Sequence, residues 1–116
     1  YGEHLEEIIG SLIEEDFLNE IRFAKTYARG KFRMKVWGRI KIIQSLKQKG
    51  INDYCIKEAM KEINPADYKE TLHLILAQQL EKCPDVPPFE RKNKAFRYAL
   101  SRGFESPLIE EFFGRE

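Results

Sequence analysis

The tripeptide Lys49-Gly50-Ile51 returns 53 positions later as Arg102-Gly103-Phe104, and this recurrence constrains the fold more than any other feature. The match extends outward from the glycines: Ile43 pairs with Phe96, Leu46 with Ala99, Cys55 with Leu108 and Ile56 with Ile109. Asp53 pairs with Ser106, both residue types that cap helix starts. Each copy reads as a basic helix, a glycine turn followed by an apolar residue, and a short apolar helix, with a longer helix in front. Such units cannot bury their apolar faces alone and must stack. The expected fold is all-α: tandem three-helix repeats stacked into an elongated, curved array. Residues 17–63 and 64–116 make two units, and residues 1–16 read as the last helix of an earlier one. A first residue of Tyr1 rather than Met suits a piece of a longer chain.

Helical periodicity supports this throughout, and strand alternation is nearly absent. Leu5, Ile8, Ile9, Leu12 and Ile13 give one pattern, and Phe17, Ile21, Ala24 and Ala28 begin a second. Val36, Ile40, Ile43 and Leu46 give a third that stops at Gly50, where a left-handed residue is needed and only glycine enters that region freely. Gly50 and Gly103 should therefore share a positive φ, and valine at either should cost about 1–3 kcal/mol. Asp53 is placed as the cap of a helix carrying Ile56, Ala59, Met60 and Ile63. Asn64-Pro65 opens the next, with asparagine as cap and proline in the first turn. That helix stops before Cys83-Pro84, the prolines at 84, 87 and 88 break the pattern, and two further helices follow. The set Ile42, Leu46, Ile56, Ala99, Leu108 and Ile109 is the expected core of the two units.

The charge is segregated. Seven acids and no base lie between Tyr1 and Glu20, whereas ten bases and no acid lie between Arg22 and Lys49. Like charges four apart on a helix repel, so this tract calls for compensation from the acidic first segment or from a partner. No apolar run is long enough for a membrane span. Cys55 and Cys83 are far apart and not in a paired motif, which suits a reducing cytoplasm and argues against a disulfide scaffold.

Catalysis would need a nucleophile with a base, converging carboxylates or a metal cluster. His4 and His73 are the two histidines, and His73 reads as a surface or half-buried helix residue. Cys55 and Cys83 read as small core residues. The pairs Glu6-Glu7, Glu14-Glu15 and Glu110-Glu111 diverge on a helix, and no zinc or phosphate-loop spacing occurs. No enzyme, cofactor or metal is expected. Trp37, within Lys35-Val36-Trp37-Gly38-Arg39, is either a core anchor or a stacking or interface residue among cations.

Read in order, Gly38, Ile42, Leu46, Lys49, Gly50 and Ile51 spell a pattern that resembles G-x-x-x-I-x-x-x-L-x-x-K-G-I. Upstream, Glu20, Ala24 and Tyr27, with Phe23 before the alanine, match D-x-x-x-A-x-x-Y except that glutamate replaces aspartate. With the later Arg102-Gly103-Phe104, the chain from about Leu5 onward resembles the RecX family of regulatory proteins, bacterial modulators of the RecA recombinase. The resemblance implies a cytoplasmic, non-enzymatic protein that binds the RecA filament on single-stranded DNA and restrains its recombinase, ATPase and coprotease activities in recombination and repair. It also implies three such repeats per molecule. The glutamate at position 20 puts in question a short-carboxylate cap there. From the residues alone, a helical domain that binds nucleic acid without sequence preference remains open. The expected surface for the filament or DNA is Arg29, Lys31, Arg33, Lys35, Trp37, Arg39, Lys41 and Lys49. The chain is expected to be a monomer, with weak direct DNA binding and no membrane contact.

Overall fold

A computed structural model describes the backbone of residues 2–82 and 84–114 and the side chains of residues 14–82 and 84–114. Among the described residues six helices occur and no strand: α1 (Gly2–Lys35), α2 (Arg39–Gln48), α3 (Asp53–Met60), α4 (Pro65–Glu81), α5 (Pro88–Ser101) and α6 (Ser106–Phe112). The molecule is elongated, 76 × 22 × 18 Å.

The two apolar patterns expected as separate helices before and after residue 16 run through one 34-residue helix. The reason is local: Glu14 to Glu20 contains no glycine or proline to interrupt the ladder. The first pattern's side chains lie outside the described residues. α1 ends without a glycine. Val36 takes φ 56°, and Trp37 N–H donates to Lys31 O at 3.1 Å across a wide turn. A β-branched residue in that region is strained by about 1–3 kcal/mol, so the elbow is held from outside.

The other stops follow glycine chemistry. Gly50 has φ 80° and Gly103 φ 96°. Ile51 N–H reaches Leu46 O at 3.1 Å, and Phe104 N–H reaches Ala99 O at 3.1 Å, the same helix-ending bond in both units. The starts differ from expectation by one residue. The cap of α3 is Asn52, whose side chain accepts from Cys55 N–H at 2.9 Å, and Asp53 is the first helical residue. Likewise Glu105, not Ser106, precedes α6. Both corrections shift by one position, so the equivalence between units survives. Asn64 caps α4 as expected, accepting from Ala66 N–H at 2.8 Å and Asp67 N–H at 3.1 Å.

The core is continuous: Ala24, Ala28, Phe32, Ile42, Leu46, Ile56 and Ala59 in the first unit meet Tyr68, Leu72, Leu76, Ala99, Phe104 and Ile109 in the second. Leu108 is only half-buried against it. α1 packs mainly on α3, whereas α4 packs mainly on α5. The longer α5, 14 residues against 10 in α2, gives α4 a partner along more of its length.

The units join through backbone. The first N–H groups of a helix have no partner inside it, and the Gly38 cap position of α2 has no side chain to supply one. The end of α5 supplies it instead: Gly38 N–H donates to Arg102 O at 2.6 Å and Ile40 N–H to Gly103 O at 3.0 Å. Arg39 N–H donates to the Tyr68 hydroxyl at 2.9 Å, and the Arg102 guanidinium donates to Lys35 O. The approach excludes side chains. A Cβ on Gly38 would lie 2.3 Å from the Gly103 carbonyl, and one on Gly103 would lie 2.6 Å from Lys41 N. Around Gly50, by contrast, a Cβ would meet nothing within 4 Å.

The equivalent glycines are thus unequal in packing. Gly50→Ala should cost only its backbone strain, about 1–2 kcal/mol. Gly103→Ala adds a collision with backbone and should cost at least about 1–3 kcal/mol more. Urea denaturation of the two variants measures the difference, and equal destabilisation would show that the close approach contributes nothing.

Candidate binding surface

The acid-free tract folds onto α1, the Val36–Gly38 elbow and α2, and its charges have three separate fates. Arg29 pairs with Glu62 of the α3–α4 connection at 3.5 Å. Arg39 belongs to the joint: its guanidinium lies 4.1 Å from the Tyr68 ring centre and 3.5 Å from the Glu105 carboxylate. These two cations are compensated within the chain. The compensating acids come from later in the sequence, whereas the acidic side chains before Glu14 lie outside the described residues.

Three lysines are held by rings instead. Lys31 Nζ lies 4.9 Å from the Trp37 ring centre and 5.4 Å from that of Tyr27. Lys41 Nζ lies 4.7 Å from Trp37, and Lys49 Nζ lies 5.5 Å from Tyr27. The order in space is Lys49, Tyr27, Lys31, Trp37, Lys41. An aromatic face attracts a cation through its quadrupole but carries no net charge, so three positive charges remain uncancelled. Among the described residues, no ion pair involves any of the three lysines. The rings are fixed better than the cations: the Tyr27 hydroxyl bonds to Ser45 Oγ at 2.5 Å, and half-buried Trp37 packs on the core. Trp37 is therefore both core-packed and cation-facing.

Of the eight expected surface residues, the structure brings Lys31, Trp37, Lys41 and Lys49 into one cluster. Lys35 lies beside it, lining with Lys31, Tyr27 and Met34 a shallow depression of about 190 Å³. Arg33 is exposed, while Arg29 and Arg39 are engaged as described. Sequence reasoning misses Tyr27 as a cation holder, although its four-residue spacing from Lys31 on a helix is a usable signal. It also misses Tyr68 and Glu105, whose partnership joins positions 37 apart across the whole of α5 and leaves no trace in spacing. Glu20 does cap: its carboxylate accepts from Asn52 N–H at 3.0 Å, so the longer side chain serves where aspartate stands in the family pattern.

The other titratable residues have structural surroundings. His73 is half-buried with its ring centre 5.0 Å from that of Phe112. Cys55 is buried, and burial pushes its thiol up, reinforced by the Glu20 charge, so it is not a ready nucleophile. Cys83 and His4 lie outside the described side chains. Among the described residues no His, Cys, Asp and Glu group could hold a metal ion. None of the described helices is long and apolar enough to cross a membrane.

Fold and surface define a class: a helical-repeat protein whose units are joined at backbone and which carries a cationic, aromatic-lined face. The sequence profile of the second three-helix domain of RecX matches residues 19–60, the segment that holds the lysine–aromatic cluster. The regulatory protein RecX of Clostridium botulinum (strain Eklund 17B / Type B) is 34% identical over 107 residues, covering 89% of this chain and 49% of the relative. That of Prosthecochloris aestuarii is 28% identical over 111 residues, covering 94% of this chain and 70% of the relative. The crystal structure of RecX from Lactobacillus salivarius superposes with a TM-score of 0.79 at 22% identity, over 97% of this chain and 73% of that one. The chain belongs to the RecX family. It spans about half the length of the Clostridium relative.

Tyr68 offers a test of the joint beside this surface. Its hydroxyl accepts from Arg39 N–H and donates to Glu105, so Tyr68→Phe leaves two groups unsatisfied and should cost about 1–3 kcal/mol. Burial, and then the Glu105 hydrogen bond, push the phenol well above its ordinary value of 10.0. The folded state therefore holds this proton more tightly than the unfolded chain does. That contribution is complete below about pH 10 and is lost as pH rises toward the folded-state value. Denaturant melts at about pH 8 and about pH 11 should show the gap between wild type and Tyr68→Phe narrowing at the higher pH.

Proposed function

We propose that this chain is a RecX-type regulator that binds RecA assembled on single-stranded DNA and restrains its recombinase, ATPase and coprotease activities. Family membership carries the reading, because the profile match and the cationic face fall on the same residues. A body 76 Å long can touch several subunits of a helical polymer, and linked weak contacts raise overall affinity without any single strong site. Obstruction of filament motion needs no chemistry from this chain. The relatives are named as regulatory proteins, in keeping with a non-enzymatic role in a reducing cytoplasm.

The division into units at residues 17 and 64 belongs to the same proposal. Glu20 and Tyr68 support it, since each reaches the residue that precedes its unit's third helix: Glu20 the Asn52 amide, Tyr68 the Glu105 carboxylate. The filament-facing surface consists of Lys31, Lys35, Trp37, Lys41 and Lys49, with Arg33 at its margin. Arg29 and Arg39 contribute less, because Glu62 and Glu105 already hold them.

Reversing Lys31, Lys35 and Lys41 to glutamate should leave most of the folding stability intact, since Lys35 is exposed and the half-buried Lys31 and Lys41 make no ion pair among the described residues. It should weaken filament binding and reduce its salt dependence by about 0.7 logarithmic units for each single-strand phosphate that is no longer neutralised. Reversal of the exposed Glu14, Glu15 and Asp16 to lysine is the matched control. RecA ATPase inhibition and filament binding across a salt series provide the readout. Full inhibition by the folded triple variant, at unchanged salt dependence, would show that another surface binds.

A further inference from the structure

We propose that the series Lys49, Tyr27, Lys31, Trp37, Lys41 is a seat for single-stranded nucleic acid, with lysines on backbone phosphates and one unpaired base on Trp37. The inference rests on the reading of this face as the filament-binding surface, and narrows its contact to the strand itself rather than an acidic protein patch. Two observations and one general property of nucleic acids carry it.

First, the ammonium groups are held in place without being neutralised. Each lies about 5 Å from a ring centre, and aromatic faces leave their charge available to an anion. An acidic protein surface would be served equally by lysines on any scaffold. Rings interleaved with cations match a ligand that alternates charges with π-faces. A nucleic acid strand is that ligand.

Second, the rings are fixed by tertiary contacts, whereas the lysine heads are held by the rings alone. Tyr27 is tied to Ser45, and Trp37 sits on an elbow between Val36, held at positive φ, and Gly38, pinned to Arg102. Lysine heads ride on flexible four-carbon stems. When phosphates arrive, Lys31 and Lys41 can swing off the indole onto them, and the face they leave is free for a base. The cations keep the ring covered until a strand displaces them.

Third, the geometry favours an unpaired strand over a duplex. Bases in a duplex are covered by their neighbours, so a ring on a protein surface stacks on them only where they are splayed out. A duplex can use the lysines but not Trp37.

Trp37 is the single tryptophan of the chain, so its emission reports on the seat without a label. The full chain is titrated, with RecA absent, against an oligothymidylate, a duplex of equal length and inorganic polyphosphate. The oligothymidylate should quench Trp37. Polyphosphate and duplex should compete for the lysines with little quenching. Trp37→Leu should weaken oligothymidylate binding by about tenfold at unchanged salt dependence, and Trp37→Phe should restore most of it. Circular dichroism checks that Trp37→Leu folds, and quenching of the wild type needs no variant. Equal quenching by polyphosphate, indifference to Trp37→Leu in a folded variant, or no oligothymidylate binding would each overturn the seat. Inhibition of RecA measured in parallel separates the two readings. Inhibition without oligothymidylate binding removes the seat and leaves the filament reading, pointing to an acidic protein contact. Strand binding without any effect on RecA supports the seat and removes the filament reading.

Discussion

Helix α2 begins without a cap of its own, and the rest of the structure depends on how that deficit is met. Gly38 offers no side-chain acceptor, and three successive N–H groups, those of Gly38, Arg39 and Ile40, are satisfied by Arg102 O, the Tyr68 hydroxyl and Gly103 O. The helix start of one unit is thereby completed by the helix end of the next. Two glycines are required for it, one at each side, because a Cβ on either would fall well inside contact distance of backbone. The joint is directional. It fixes the first unit's second helix against the second unit's glycine turn, and Phe32, Tyr68 and Phe104 fill the space beneath, with ring centres 5.7 and 5.1 Å apart in turn.

The cationic, aromatic-lined face follows from that joint. The elbow that leads into Gly38 carries Trp37, and the residue that meets Gly103 across the joint is Lys41, whose head reaches Trp37. A chain that loosened at Gly38 would misplace the cationic cluster and separate the units together. The strained Val36 is tolerable for the same reason, since Trp37, Gly38 and Arg102 hold the chain on both sides of it. The fold eases the self-repulsion of the acid-free tract in two ways. Carboxylates from the second half of the chain neutralise Arg29 and Arg39, while Tyr27 and Trp37 hold lysines whose charge stays available.

Much of this is legible in the sequence, and the exceptions have physical causes. The helices, the glycine turns with positive φ and the duplicated core are readable because each rests on local spacing or on a residue with one conformational specialty. The α3 cap falls one residue earlier than expected because Asn52 and Asp53 are nearly equal as caps, and tertiary contact from Glu20 decides between them. The break expected at residue 16 does not occur because a change of apolar stripe does not require a change of helix. The joint itself is hidden. Gly38 reads as part of a family pattern, but nothing in spacing tells that it touches Gly103, 65 residues away. Among the candidate site residues, charge identity alone does not separate Arg39, which is structural, from Lys41, which is available.

The central claim is that the two units form one body through the amides at the start of α2. Native-state hydrogen exchange of Gly38, Arg39 and Ile40 tests it most directly. If the second unit caps this helix, those three amides are strongly protected, exchange together through one opening that separates the units, and lose that protection together in Gly103→Ala. If they instead exchange rapidly, while Gly103 and Phe104 stay protected, α2 is uncapped and the units are joined by chain connectivity alone.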